Sequence, residues 1–448
     1  MSTIQKPATR AHFERARRVI PGGIMSNFRK DEGYVPTYFS HGRGSHLFDL
    51  DGNEYIDYSL SYGPGILGHN HPALTEAIAN QAGRFLSCES NPLEAEAAEK
   101  IKAHVPCAEL IRFACSGTEA VYNACRVARG FTGRDKIVRF NGHYNGGLDE
   151  LLGGVVNDPA APVPVAGERD DDIFSQMTDT GGRKRHAFDD TFLIEWNDIG
   201  AIETLLDRHA PDIAALLMEP VMVNVSGCVP RPGYLEAVRA LCDRHGVLLI
   251  FDEVITGFRI GLGGAQAHFG VTPDLATFAK ALGGGIPVSA FCGRRDVMDV
   301  ITRTEVMAGG TYNGHPLSMQ GAITTITELE RDGQAAMKRI QHFGQQLGDG
   351  LRKLFRQHDT CYRLQGFAGA WTLAWHPERE IIHNHAESLG AGYFAPIGAF
   401  IGAMNQRGVI MQTRMCTSAA HTQADVDEVL SRADDALHAL KASGAIPA

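Results

Sequence analysis

Two short apolar runs, each stopped by a charge, constrain this chain more than any other feature. Val247-Leu248-Leu249-Ile250-Phe251 runs into Asp252, and Leu275-Ala276-Thr277-Phe278-Ala279 runs into Lys280. Runs of four to six apolar residues, set among helical segments, read as parallel strands buried on both faces. A charge at the end of such a strand is costly to bury. It belongs where α/β sheets bind ligands, at the carboxyl edge.

From His71 onward helices alternate with strands, and the expected strands are 111–114, 136–140, 213–218, 247–251, 275–278 and 288–292. This order predicts a mostly parallel sheet with right-handed crossovers. Before it, residues 44–58 read as a β-hairpin turning at Asp51-Gly52. After it, residues 318–357 carry one or two long helices, and the remainder reads as a smaller α+β unit. The expected division is an N-terminal segment over 1–70 that packs with the small domain, a large domain over 71–320 and a small C-terminal domain over 321–448. A chain of 448 residues exceeds what one core sustains. Residues 153–190, polar and broken by Pro and Gly, read as a long surface excursion.

A net charge of −10 and the lack of any long basic run argue against nucleic acid as a partner. No stretch approaches the roughly 20 apolar residues of a membrane span. The first 18 residues are polar and basic, without the apolar centre of a signal peptide. Nine scattered cysteines with no Cys-x-x-Cys pair read as reduced thiols in a cytoplasmic protein.

Four loops at strand ends carry candidate chemistry. Ser116-Gly117-Thr118-Glu119 has capping-box spacing at a helix start, and its free N–H groups form a natural phosphate site. Taken alone it is an ordinary cap. Tyr144, in Asn141-Gly142-His143-Tyr144-Asn145-Gly146-Gly147, is placed to lie on a planar ligand; an incidental tyrosine in a glycine-rich turn is the plainer reading. His143 reads as a core or hydrogen-bonding histidine. Glu219, in Met218-Glu219-Pro220-Val221, with Asn224 beyond, is either near a ligand ring or a paired structural carboxylate. Gly310-Thr311-Tyr312 offers a hydroxyl on a turn-rich loop. The His69-x-His71 and His383-x-His385 pairs lack further ligands at metal spacing, so no metal is expected. No phosphate-binding Gly-x-x-x-x-Gly-Lys, His-Glu-x-x-His or Gly-x-Ser-x-Gly pattern occurs. Asp252 and Lys280 remain. A carboxylate and a lysine are what pyridoxal 5'-phosphate chemistry needs: the lysine holds the aldehyde as a Schiff base, and the carboxylate keeps the ring nitrogen protonated.

In order, Pro21-Gly22-Gly23, Gly68-His69-x-His71-Pro72, Ser116-Gly117-Thr118-Glu119-Ala120, Gly142-His143-Tyr144, Glu219-Pro220-Val221, Phe251-Asp252-Glu253-Val254-x-Thr256-Gly257-Phe258-Arg259, Lys280-x-x-Gly283-Gly284-Gly285-x-Pro287 and Gly310-Thr311-Tyr312-x-Gly314-x-Pro316 resemble the class III (subgroup II) pyridoxal-phosphate-dependent aminotransferases. The nearest branch is the one containing glutamate-1-semialdehyde aminomutase. The resemblance implies a fold type I transferase with a mostly parallel central sheet in a large domain and a smaller α+β domain. It implies a homodimer with shared active sites. Lys280 would anchor the cofactor and Asp252 would pair with its ring nitrogen. Ser116, Gly117 and Thr118 would hold the phosphate, with Thr311 reaching in from the second subunit. Tyr144 and Val254 would flank the ring, and Glu219 and Asn224 would lie on its hydroxyl side. Ser26 and Arg29 match substrate-contacting positions of the aminomutase.

Two departures stand out. The aminomutase motif has histidine after the stacking tyrosine, where this chain has Asn145. The segment 408–421 is shortened and carries Arg414, similar to β-amino-acid aminotransferases, where the aminomutase has a glutamate. The expected function is therefore a transaminase moving an amino group from an amino acid donor to a keto acid or aldehyde acceptor. Arg29 and Arg414 would take the carboxylate of a β- or γ-amino substrate. The alternative is an intramolecular aminomutase of the glutamate-1-semialdehyde type.

Overall fold

The computed structural model describes residues 4–29, 36–152, 182, 184, 186–388 and 394–446. The excursion expected at 153–190 falls largely outside them. The chain opens with a short helix, Pro7–Ala16, followed by strands β1 (Phe39–Arg43), β2 (His46–Asp49) and β3 (Glu54–Asp57). β2 and β3 are antiparallel around Asp51-Gly52, where Gly52 has φ +81°. A left-handed residue there is what glycine supplies without a Cβ clash.

Seven strands follow: β4 (Leu110–Ala114), β5 (Lys136–Phe140), β6 (Thr191–Ile194), β7 (Ile213–Met218), β8 (Leu248–Asp252), β9 (Leu275–Phe278) and β10 (Ser289–Gly293). They form one sheet in the order β4-β10-β9-β8-β7-β5-β6. β6-β5-β7-β8-β9 are parallel, and β10 runs antiparallel between β9 and β4. The apolar runs are continuous because each face has its own core. Leu249, Phe251, Leu216 and Met218 enter one core; Leu248, Ile250, Ala215 and Leu217 enter the other. The second face is covered by the helix Gly117–Thr132 through Ala120, Val121, Ala124 and Ala128.

The 42-residue helical segment Pro316–Gln357 is two helices, since Arg331–Gln334 leave helical geometry. Its first half buries Ile326 and Leu329 in the large core. Its second half buries Leu347, Leu351 and Phe355 in a separate core with the C-terminal helix Gln423–Ala442. That second core also takes in Ile56 and Tyr58 from the N-terminal strands. The remaining strands, β11 (Tyr362–Phe367), β12 (Ala370–Trp375), β13 (Val409–Ile410) and β14 (Arg414–Cys416), complete it. β13 pairs in parallel with β3, and β11, β12 and β14 form a three-stranded sheet. Among the described residues no helix is long and apolar enough to cross a membrane.

Candidate active site

The carboxyl ends of β4, β5, β7, β8 and β9 meet at one edge of the large sheet, and a cavity of about 340 Å³ opens there. Asp252 ends β8, Lys280 follows β9 by one residue, and Glu219 directly follows β7. All three line the cavity, together with Ser116, Gly117, Thr118, Tyr144, Asn224 and Val254. The fold thus gathers nine of the sequence-derived positions from five loops.

At the 116–118 turn, Ser116 caps its helix through Glu119 N–H, and the Glu119 carboxylate accepts from Ser116 N–H and Oγ–H. A Cβ at Gly117 would lie 3.2 Å from both methyls of Val254, a tight contact that the valine would have to yield to. Among the described residues the N–H groups of Gly117 and Thr118 have no partner. Thr118 Oγ1 accepts from Gly147 N–H at 3.2 Å, which leaves its own proton free to donate. Two open N–H groups, one hydroxyl and a helix N-terminus form a cradle for a phosphate.

Asp252 is 4% exposed. Its Oδ2 accepts from Asn145 Nδ2 at 2.8 Å, and its Oδ1 accepts from Val254 N–H at 3.1 Å and Thr277 Oγ1 at 3.4 Å. Burial raises its pKa, opposed first by the Asn145 bond. Lys280 sits at φ +46°, the left-handed region, which costs a lysine about 1–3 kcal/mol. Burial, then the charge of Arg414, brings its pKa down to about 7. Near neutral pH a substantial fraction of the amine is therefore neutral and nucleophilic, where an ordinary lysine is almost wholly charged.

Glu219 Oε1 accepts from Tyr144 N–H at 2.8 Å and Asn224 Nδ2 at 2.7 Å, while its Oε2 is buried without a partner. Burial, then the charge of Asp252, raises its carboxyl to about 7. Behind it, His143 Nδ1 accepts from Glu219 N–H at 3.0 Å, and burial holds this imidazole neutral. Tyr144 is exposed, with Phe28 edge-on to its ring at 5.6 Å.

Arg414 stands one hydrogen bond behind the lining. Nη1 donates to Asn224 Oδ1 at 3.0 Å and Nη2 to the Tyr62 carbonyl at 3.2 Å. That carbonyl is presented by three consecutive left-handed residues, Leu60, Ser61 and Tyr62. Arg414 is 8% exposed, its Nε has no partner, and it forms no ion pair among the described residues. Arg259, fully buried nearby, likewise donates only to carbonyls among the described residues, those of Gly63, Gly369 and Thr417. Buried guanidinium groups without a carboxylate are rare because desolvation is uncompensated.

Besides Arg414, three predicted positions lie outside the cavity lining. Thr311 is exposed. Ser26 and Arg29 flank Phe28, which touches Tyr144 and Tyr62, yet neither side chain hydrogen-bonds a cavity residue among the described residues. Asn145 was not predicted as a site residue. Its partner is 107 residues away, a distance no local pattern reveals. A group with potential metal ligands, His358, Asp434 and His438, borders the second core; its shortest contact is a His358–Asp434 hydrogen bond of 2.6 Å.

The family described as Aminotransferase class-III matches residues 28–437. A glutamate-1-semialdehyde 2,1-aminomutase of Acetivibrio thermocellus is 38% identical over 429 residues, covering 94% of this chain and 95% of that one. An omega-transaminase from Sphaerobacter thermophilus superposes with a TM-score of 0.88 at 31% identity, covering 96% and 97% of the two chains. A solved transaminase with PLP bound has a TM-score of 0.87 at 27% identity over 98% and 99%. The chain belongs to the class III aminotransferase family, and its fold is that of the fold type I enzymes.

Proposed function

We propose that the protein is a pyridoxal-phosphate-dependent enzyme that moves an amino group on a carboxylate-bearing substrate. The cavity fits the cofactor: an open phosphate cradle at Gly117–Thr118, a buried carboxylate at Asp252 and a lysine of lowered pKa at Lys280 share one space. When bound, the cofactor supplies an electron sink for the carbanion formed at the amino-bearing carbon. Ser116, Gly117 and Thr118 would hold its phosphate, Tyr144 and Val254 would flank its ring, and Glu219 and Asn224 would lie on the hydroxyl side. Asp252 would hold the ring nitrogen. Lys280 Nζ would anchor the aldehyde and then take and return a proton, a task suited to an amine poised near neutrality.

The observation that carries the substrate class is Arg414, a buried guanidinium with an unpartnered Nε and no carboxylate partner among the described residues, close enough to Lys280 to depress its pKa. A substrate carboxylate would supply the missing charge. Arg29, next to Phe28 and outside the cavity lining, is with Ser26 a second candidate contact.

Two reaction modes share this chemistry. The sequence puts intermolecular transamination first. The 38% identical relative, named an aminomutase, backs intramolecular exchange at least as well. Incubating the holoenzyme with glutamate-1-semialdehyde and no other amine or keto acid separates them. Sustained formation of 5-aminolevulinate establishes the aminomutase. A single turnover at most, with sustained turnover only for a β- or γ-amino acid plus a keto acid, establishes the transaminase.

The same reading includes a homodimer in the cytoplasm, divided at 1–70, 71–320 and 321–448. Thr311 would complete the partner's phosphate cradle. Its support is the exposure of Met307 (77%) and Tyr312 (63%) on either side, apolar surface that a second copy would cover. Sedimentation at assay concentration tests it; a fully active monomer overturns it.

A further inference from the structure

We propose that Asn145 is a positioning residue that, with Oδ1 already filled by Val254 N–H and Thr277 Oγ1, leaves Asp252 a single open acceptor site on Oδ2 and so fixes how that oxygen meets the ring nitrogen. The inference rests on the cofactor reading above. An ionised carboxylate has about four lone-pair sites. Asp252 Oδ1 takes two donors, Val254 N–H and Thr277 Oγ1, and Oδ2 takes one, Asn145 Nδ2. Among the described residues nothing else donates to either oxygen, so the vacancy is on Oδ2.

Asn145 is 1% exposed, and its own Oδ1 is buried without a partner. No second side-chain hydrogen bond therefore holds the amide in place; the backbone aims it. Gly146 has φ +123°, and a Cβ there would lie 2.9 Å from Thr118 Oγ1. Gly147 N–H donates to the same oxygen. The loop that carries Asn145 is thus keyed to the phosphate turn, so the cradle and the ring-nitrogen site are set at a fixed separation. An amide is a suitable agent because it is neutral: it orients the carboxylate without a cation that would compete with the pyridinium for its charge. The aminomutase motif places a histidine here, and an imidazole N–H is the other side-chain donor of similar reach.

The test uses the full-length protein freed of cofactor, at pH 8. Two probes are bound at equilibrium: pyridoxamine 5'-phosphate, which has no aldehyde for Lys280 to capture, and its 1-deaza analogue, in which C–H replaces the ring nitrogen. Wild type is expected to prefer the nitrogen compound. Asn145→Ala is expected to weaken that compound about tenfold, the scale of one hydrogen bond to a charged group, and to leave the deaza analogue within about twofold. Asn145→His, which restores a donor, should recover the preference. If Asn145→Ala weakens both probes equally, or neither, Asn145 is merely structural and the inference falls while the cofactor assignment stands. If wild type binds neither probe, the cofactor reading itself fails and takes this inference with it.

Discussion

Arg414 Nη1 and Asn224 Oδ1 meet at 3.0 Å across 190 residues of chain. The same asparagine turns its Nδ2 to Glu219, so its amide cannot flip without breaking both bonds. Arg414 is thereby held with its Nε edge unspent.

Replacing Arg414 has two expected consequences. Arg414→Ala should raise KM for the carboxylate substrate about 10²-fold, as for a lost charged pair of about 2–3 kcal/mol. Arg414→Gln should also raise the Lys280 pKa, because the arginine's charge is the second cause of its depression. A higher pKa leaves less neutral amine at pH 7. Capture of the cofactor aldehyde by the apoprotein should therefore slow at pH 7 and recover at pH 9, followed by stopped-flow absorbance. Unchanged KM and unchanged capture together would remove Arg414 from the site.

Lys280→Ala should abolish the visible absorbance of the covalently anchored cofactor and stop turnover. The protein should still retain phosphate-bearing pyridine compounds through the 116–118 turn. Near-normal turnover in this variant would refute the assigned chemistry.

Asp252→Asn should fold normally, keep some cofactor and lose turnover by orders of magnitude, since opposite charge is what keeps a ring nitrogen protonated. A loss below tenfold, or ~1.4 kcal/mol, would show that Asp252 does not face that nitrogen.

Glu219 makes a prediction about stability and pH. Burial raises its carboxyl from 4.5 to about 7, so the folded protein binds this proton more tightly than the unfolded chain. Between those values the folded state holds more protons, and stability falls as pH rises. Glu219→Gln keeps an acceptor for Tyr144 N–H and Asn224 Nδ2 and never ionises. The variant apoprotein should melt above wild type at pH 8 and lose that advantage at pH 4.5. An equal offset at both pH values would mean that the proton is not the cause.

What was legible from residues alone follows the range of the forces involved. β5, β7 and β9 fall where their apolar runs predict, because burial on both faces leaves a continuous signature. β6 was missed: Thr191–Ile194 is only four residues long and follows a polar stretch. β1 was missed because Phe-Ser-His-Gly-Arg neither alternates nor runs apolar. The antiparallel placement of β10 between β4 and β9 is a long-range pairing that its own composition does not record. At the site, Asp252 and Lys280 announce themselves as charges ending strands. Neither the Asn145–Asp252 bond nor the Asn224 bridge has a local sequence signal, since each is made by the fold.

The backbone at Lys280 has a consequence for engineering. Its φ of +46° lies where glycine rests without penalty and a lysine is strained. A selection for heat tolerance alone would favour Lys280→Gly over Lys280→Ala, since glycine relieves that strain and alanine does not. Thermostabilising libraries that include this position should enrich an inactive glycine variant. At the residue proposed to anchor the cofactor, durability and chemistry pull in opposite directions.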